Sequence, residues 1–396
     1  MKRTFLDIFK LLFPISSYKN SYINDLRQYL DKQELKQAVY LSKLGRIGFS
    51  TAKLGVSDKL GLEVDYPQLN LACTDSDVKK FVENINSDIR YKTMRSAFKK
   101  FSENVEEKIM KYVSPNIIGL DNIKEACILQ LFASDRVHIL LLGDPQTGKT
   151  DIIRAISNLH PITSFGLGSG TSGVGLAVTV KGDKVIKGLL PKADQGLCCI
   201  DELNLMQNKD RASLYSAMEK GFISYDKGSK HIRMDTNVRI LATANPKIDR
   251  FVGRTLDVLK EQVPFDEALL SRFNLVFLIR QPDVKEFMDI TRKIVSDDPT
   301  VLVNEDMNFI KEYVNFAEDI KVEFPKMFEK DIVNFIEYLK RNEEQFVVKI
   351  GPRTVIGFIR LCKANARMNL RNEVRRSDIE KVKNLFEEAL FVRRKG

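Results

Sequence analysis

The chain has 396 residues, of which 43% are hydrophobic and 29% charged; this excludes wholesale disorder, and the length exceeds one small domain. No apolar run reaches the ~18–20 residues of a bilayer-spanning helix. The five cysteines (Cys73, Cys127, Cys198, Cys199, Cys362) form no CxxC pair and the three histidines (His138, His160, His231) are dispersed, which excludes a zinc ribbon or disulfide framework and predicts an intracellular, cytoplasmic protein.

Lysine and arginine number 63 against 53 aspartate and glutamate, a net charge of +10, and residues 351–396 alone carry 12 basic against 5 acidic side chains. Such a balance favours anionic partners through phosphate contact, and describes a solvated basic surface equally well.

Met1-Lys2-Arg3 begins like a signal peptide, but Asp7 and Lys10 interrupt the apolar stretch and no small-residue cleavage site follows; the segment reads as an amphipathic helix. Residues 1–105 are mostly helical in pattern, with apolar positions spaced by three and four over 26–44 and 78–109. Gly45, Gly48, Gly55, Gly61 and Tyr66-Pro67 lie between. Over 106–282 short apolar runs alternate with helical patterns and Gly-rich turns. Residues 137–142, 197–200, 239–244 and 275–279 read as buried strands of a mostly parallel sheet. From 283 to 396 the pattern is helical again. Ser377 with Glu380 forms a capping box, and Val355, Ile359, Cys362 and Ala366 line one face of the helix before it. The fold class is α/β: a parallel-sheet core preceded by a helical N-terminal piece and followed by a helical lid.

Gly143-Asp144-Pro145-Gln146-Thr147-Gly148-Lys149-Thr150 follows the 137–142 strand and precedes a helical pattern over 151–159. This is the G-x-x-x-x-G-K-[ST] phosphate loop in the strand–loop–helix setting the motif requires. Its backbone N–H groups would surround the phosphates of ATP at the positive end of the following helix, Lys149 would neutralise the β- and γ-phosphates, and Thr150 would ligate Mg²⁺. A second apolar strand ends in Asp201-Glu202, 51 residues after Thr150. Asp201 suits Mg²⁺ and Glu202 suits polarisation of the attacking water, although two carboxylates after a strand also describe a solvated turn. Cys198 and Cys199 read as small buried strand residues. The 239–244 strand ends in Asn245-Pro246, either a turn or, beside the carboxylates, an amide that positions the lytic water or senses the γ-phosphate.

Several motifs in fixed order carry a resemblance: Ser114-Pro-Asn-Ile-Ile-Gly119, Ile123-Lys-Glu-Ala126, Leu129-Gln-Leu131, the phosphate loop, Cys198-Cys-Ile-Asp-Glu202, Leu241-Ala-Thr-Ala-Asn-Pro246 and Leu269-Leu-Ser-Arg-Phe273. Together they resemble the AAA+ core of the MCM replicative helicases, and Ala366-Arg-Met-Asn-Leu-Arg-Asn-Glu-Val374 resembles that family's lid. The likeness covers roughly residues 105–390. It implies that Arg272 is an arginine finger and Arg353 a sensor-2 arginine, both reaching a neighbouring subunit's ATP in a ring, usually a hexamer, homomeric or mixed. Residues 164–186 resemble the helix-2 insertion of the ring channel; they lack the lysine and the preceding strand of a second phosphate loop. Residues 223–233 resemble the pre-sensor-1 hairpin, with Lys227-Gly228 at its tip. Lys227, joined by Lys230 and Arg233, would meet the phosphates of single-stranded DNA in the channel, where a solvated basic turn is the plainer alternative for the last two.

The sequence departs from the family in four places: Gly148-Lys-Thr150 in the phosphate loop, Asn274 where aspartate is usual, Ser229-Lys-His231 in the hairpin, and the two ends. Only some 105 residues precede the core, with a faint likeness to the family's helical bundle at 62–69. That leaves no room for the zinc ribbon and OB-fold, and no winged helix follows the lid; the expectation is a shortened relative, carried by a mobile element or acting as an accessory paralogue. The implied function is a DNA-dependent ATPase and helicase in DNA replication. The alternatives are a protein-remodelling ATPase similar to MoxR or magnesium-chelatase relatives, and an ATP-binding structural subunit of a mixed ring.

Overall fold

In this computed structural model residues 95–181, 184–227, 230–253, 255–296 and 304–390 are described. The readings for residues 1–94 lie outside them: the N-terminal amphipathic helix, the 26–44 helix and most of the 78–109 helix, the glycine stretch, and the 62–69 likeness. Two compact units divide the chain. One is Val105–Leu302 with Met307–Gly396; of the other, residues 95–104 and 304–306 are described.

In chain order the first unit runs through α1 (Val105–Met110), α2 (Asp121–Leu131), β1 (His138–Gly143), α3 (Lys149–Ser157), β2 (Thr163–Leu167) and α4 (Gly173–Leu176). The β3–β4 hairpin (Val178–Lys181, Lys184–Lys187), α5 (Leu189–Lys192) and β5 (Leu197–Asp201) follow. Then come α6 (Ala212–Lys220), the β6–β7 hairpin (Phe222–Lys227, Lys230–Asp235), β8 (Arg239–Ala244), α7 (Leu256–Gln262), α8 (Glu267–Leu270) and β9 (Leu275–Ile279). The helices α9 (Val284–Ser296), α10 (Asn304–Glu318), α11 (Glu329–Arg341), α12 (Pro352–Met368) and α13 (Arg376–Leu390) complete the described chain.

β1, β5 and β8 are buried along their whole length, as apolar strands must be when both sheet faces are covered. They pair in parallel in a five-stranded sheet of order β2-β5-β8-β1-β9. The four strands read from the sequence are all present. The fifth is not among them: Thr163–Leu167, expected as part of the Gly-rich insertion, is the edge strand β2, paired with β5 from Thr163↔Leu197 to Leu167↔Asp201. Its residues are mostly half-buried and include Gly166, so they show neither an unbroken apolar run nor a clean alternation. A strand does therefore precede the Gly-rich segment, although the lysine is still missing.

The lid packs Phe358 of α12 between Phe335 and Phe386, with ring centroids 5.3 and 5.4 Å away. Of the helix face read from the sequence, Cys362 and Ala366 are buried, whereas Val355 and Ile359 are only half-buried; Phe358, Leu361 and Asn365 are buried beside them. The carboxylate at the start of α13 is Asp378, not Glu380: it accepts from Arg375 N (2.7 Å), Asn365 Nδ2 (2.6 Å) and Arg371 Nη2 (2.6 Å), while Glu380 pairs with Lys383. Asp378 is fully buried, and with Arg371 Nη1 (2.8 Å) as a fourth donor these bonds offset its desolvation. Arg367 fastens the lid to the core through the Phe132 carbonyl (2.7 Å) and the Ser134 hydroxyl (3.1 Å). Glu318, at the end of α10, meets Arg239 at 2.8 Å.

Candidate active site

Because β5, β8 and β1 are adjacent, their carboxyl ends bring Asp201-Glu202, Asn245 and the phosphate loop side by side, where open parallel sheets carry their ligands. Gly143 ends β1 and α3 starts at Lys149. Between them the chain turns through positive φ at Gln146 (62°) and Gly148 (79°). Gly148 also packs so closely on Ile117, of the Ser-Pro-Asn-Ile-Ile-Gly segment, that an added Cβ would lie 2.7 Å from its Cδ1. Asp144 is buried and anchors the loop on two sides, accepting from Phe251 N (2.6 Å) after β8 and from Gln281 N (2.9 Å) after β9. Thr147 Oγ1 donates to the Asp144 carbonyl (2.8 Å), and the Pro145 carbonyl accepts from Gln281 Nε2 (3.3 Å).

Lys149 is 6% exposed and donates to the carbonyls of Gly143 (2.9 Å) and Asp144 (2.5 Å) and to Thr147 Oγ1 (3.3 Å). Burial pulls its pKa down to about 8, against the opposing charges of Asp144, Asp201 and Glu202. A shielded ammonium whose hydrogen-bond acceptors are all uncharged gains by exchanging one of them for a phosphate oxygen. The loop therefore fits a nucleotide.

Asp201, also buried, accepts from Thr150 Oγ1 (3.1 Å) and Thr243 Oγ1 (2.5 Å). Thr150 and Asp201, the two residues read as metal ligands, are thus in contact across 51 residues of sequence. Hydroxyl and carboxylate oxygens are the donors Mg²⁺ takes. Among the described residues no group of three or more His, Cys, Asp or Glu is placed to hold a metal ion, and no helix is long and apolar enough to cross a membrane.

Glu202 leaves β5 with φ 54° and ψ 47°, a left-handed conformation unusual for glutamate, and its N–H donates to Thr243 Oγ1 (2.9 Å). Thr243 thereby ties both carboxylate residues to β8. Asn204 accepts from Asn245 N (3.0 Å) and positions that residue's turn. The sequence reading passed over both: Thr243 lies inside the quoted Leu-Ala-Thr-Ala-Asn-Pro motif, and nothing local marks Asn204. Gly168, the first residue of the Gly-rich segment after β2, runs so close to Glu202 that a Cβ would strike the Glu202 carbonyl oxygen. Cys198 and Cys199 are buried, and burial raises both thiols, Cys198 to about 11.

Arg272 and Arg353 are elsewhere. Asn274, two residues after Arg272, exchanges bonds with His138 at the start of β1: Asn274 N donates to the His138 carbonyl and His138 N to Asn274 Oδ1, both at 2.8 Å. The phosphate loop begins at the other end of β1, five residues on, about 16 Å at roughly 3.3 Å per residue. Arg353 is held at the same end, its carbonyl accepting from Asn274 Nδ2 (3.3 Å). Both guanidinium groups face Glu219 of α6: Arg272 Nη2 at 2.8 Å from Oε2 and Arg353 Nη2 at 3.6 Å from Oε1. The structure thus joins Lys149, Thr150, Asp201, Glu202 and Asn245 in one site, and Arg272 with Arg353 in another.

The β6–β7 hairpin pairs Lys227 with Lys230 across residues 228–229, so both lysines stand at its turn. Gly228, Ser229 and the side chains of Lys227 and Lys230 lie outside what is described. Arg233 belongs to the hairpin's base, its guanidinium 3.8 Å from the centre of the Phe222 ring.

Residues 95–297 match the MCM P-loop domain and residues 308–390 the MCM AAA-lid domain. Among curated proteins, the DNA replication licensing factor mcm7 of Schizosaccharomyces pombe is 30% identical over 319 residues, 72% of this chain and 41% of that protein. The DNA replication licensing factor MCM4 of Drosophila melanogaster is 28% identical over 317 residues (72% and 36%), and the minichromosome maintenance protein MCM of Saccharolobus solfataricus 27% over 307 residues (71% and 44%). The chain spans less than half the length of these relatives. With P-loop core and lid matched in order along most of the described chain, the protein belongs to the MCM family.

Proposed function

We propose that the chain is an ATP-hydrolysing motor subunit that works in a ring, a hexamer of MCM type, around single-stranded DNA during replication.

 The observation that supports this most directly is the separation along β1: the phosphate loop leaves one end of the strand, and the backbone that carries the two arginines is bonded at the other end, about 16 Å of strand away. Arginines turned to Glu219 at the far end of the strand are placed to complete the site of the next copy.

Each role then falls to a named side chain. Lys149 and the 143–150 backbone bind the triphosphate of ATP, with Thr150 and Asp201 holding Mg²⁺, which when bound offsets phosphate charge. Glu202, fixed by its left-handed turn, orients and polarises the attacking water, and Asn245 holds that water or the γ-phosphate from the adjoining strand tip. Arg272 and Arg353 of one copy stabilise the charge that develops at the neighbour's γ-phosphate. Lys227 and Lys230, at the hairpin turn, meet DNA phosphates in the channel without reading bases.

The test is ATP turnover by the purified chain with and without single-stranded DNA, with Glu202→Gln as the blank. Turnover raised by DNA and lost in Glu202→Gln is the expected result, with strand displacement as the next assay. Turnover indifferent to DNA, with DNA retention unaffected by Lys227→Ala, moves the assignment to a protein-remodelling ATPase. ATP binding without turnover moves it to a structural subunit of a mixed ring.

A further inference from the structure

We infer that Glu219 is a positioning residue that holds Arg272 and Arg353 side by side, so that both guanidinium groups are presented as one unit to the neighbouring subunit's nucleotide. The inference rests on the ring reading above and adds to it a residue that the sequence did not single out.

The geometry is that of a built clamp. Each Glu219 carboxylate oxygen serves a different arginine, Oε2 that of Arg272 (2.8 Å) and Oε1 that of Arg353 (3.6 Å). Without the carboxylate, two cations would share one surface with nothing between them, and like charges at that spacing drive flexible side chains apart. Glu219 is about half exposed, yet the two arginines hold its carboxyl below the usual carboxylate range.

Arg272 is restrained on further sides. Its Nη1 donates to the Ala268 carbonyl and its guanidinium lies 4.8 Å from the centre of the Tyr215 ring, so α6 supplies both the ring and the carboxylate. Its Nε–H is buried without an acceptor. Tyr215, Ala268 and Glu219 together fix the guanidinium plane.

Arg353 is held through its backbone as well. The Asn274 amide donates to the Arg353 carbonyl (3.3 Å) while its Oδ1 accepts from His138 N (2.8 Å). An aspartate, usual at this place in the resemblance, could accept from His138 but could not donate to a carbonyl. The departure at Asn274 therefore serves the placement of Arg353.

The experiment compares Glu219→Ala and Glu219→Gln with Arg272→Ala in the full chain. Glu219→Ala is expected to lower the turnover rate at saturating ATP by about ten-fold, the scale of lost orientation, with the KM for ATP changed less than about two-fold. Glu219→Gln, which keeps an acceptor oxygen, recovers part of the rate. Mixing Glu219→Ala with Lys149→Ala restores turnover, because Lys149→Ala subunits lend intact arginines to intact phosphate loops; mixing it with Arg272→Ala does not, because both lesions lie on the same side of the interface. Independently of turnover, the ¹H–¹⁵N signals of the Arg272 and Arg353 Nε–H groups shift and exchange faster in Glu219→Ala. Wild-type turnover in Glu219→Ala beside an inactive Arg272→Ala overturns the clamp. If Arg272→Ala itself turns over like wild type, the ring reading fails instead, and the clamp is judged by the Nε–H signals alone: unchanged signals overturn it and shifted signals support it.

Discussion

The two ends of β1 solve opposite problems. At the carboxyl end, Asp144, Lys149 and Asp201 are all buried and bonded within their own subunit, to loop carbonyls, backbone N–H groups and the hydroxyls of Thr147, Thr150 and Thr243. At the amino end, Arg353 and Glu219 are about half exposed, and one carboxylate holds two cations. The first arrangement is a site whose polar groups are already placed and bonded before any ligand is considered. The second is a surface on which two cations share one carboxylate, so its positive charge is in excess. Burial makes the difference: a charge taken out of water must find its partners inside the fold, whereas an exposed charge can wait for one.

The sharpest way to break this comparison is to disable the two ends on different copies. Lys149→Ala and Arg272→Ala are each expected to lower ATP turnover by about 10³-fold. A one-to-one mixture should regain measurable turnover, because some interfaces then join an intact loop to an intact arginine pair. No regain would mean that both ends serve the same subunit's nucleotide.

Thr243→Val tests whether the carboxyl end depends on its internal hydroxyls. It leaves the buried Asp201 carboxylate short of a donor and the Glu202 N–H short of an acceptor, for a cost of about 1–3 kcal/mol in unfolding free energy. Turnover should fall by about ten-fold, and denaturant melts beside ATPase rates measure both effects.

At the exposed end Asn274→Asp should act more gently. It removes the donor to the Arg353 carbonyl and leaves the acceptor for His138 N, so turnover should fall by roughly two- to five-fold while ATP affinity is kept. Equilibrium nucleotide binding beside steady-state rates separates the two.

The smallest effect is on pH. Lys149 has a folded pKa of about 8, below the 10.5 of the free side chain. Between those values the unfolded chain binds more protons than the folded one, so this residue's contribution to stability rises with pH from about 8 to about 10.5 and is flat below. ATP affinity should run the other way, weakening as pH passes about 8 and the ammonium is lost. Calorimetric titrations of wild type and Lys149→Arg, whose guanidinium stays charged, check this: the arginine variant should show the flatter profile.

Much of the carboxyl end could be read from the chain because its chemistry is local. The phosphate loop is eight consecutive residues after an apolar strand, and Asp201-Glu202 and Asn245 each close such a strand. A buried parallel strand announces itself as an unbroken apolar run. β2 escaped because an edge strand that is mostly half-buried and contains Gly166 has no such run. The capping role of Asp378 escaped because Ser377 and Glu380 form the more familiar pattern, whereas Asp378 is recruited by Asn365 and Arg371 across a buried contact.

By itself, then, the sequence determined the α/β class, four of the sheet's five strands, the phosphate loop and the carboxylates that face it, since each depends on neighbours a few residues apart. Only the tertiary structure decided which strands lie side by side, that Thr243 bonds both Asp201 and Glu202, and that Arg272 and Arg353 meet at Glu219. Those contacts join residues 41 to 134 positions apart. They exist because burying the sheet's two faces leaves β5, β8 and β1 adjacent, and no local periodicity or spacing encodes which distant side chains that packing brings together.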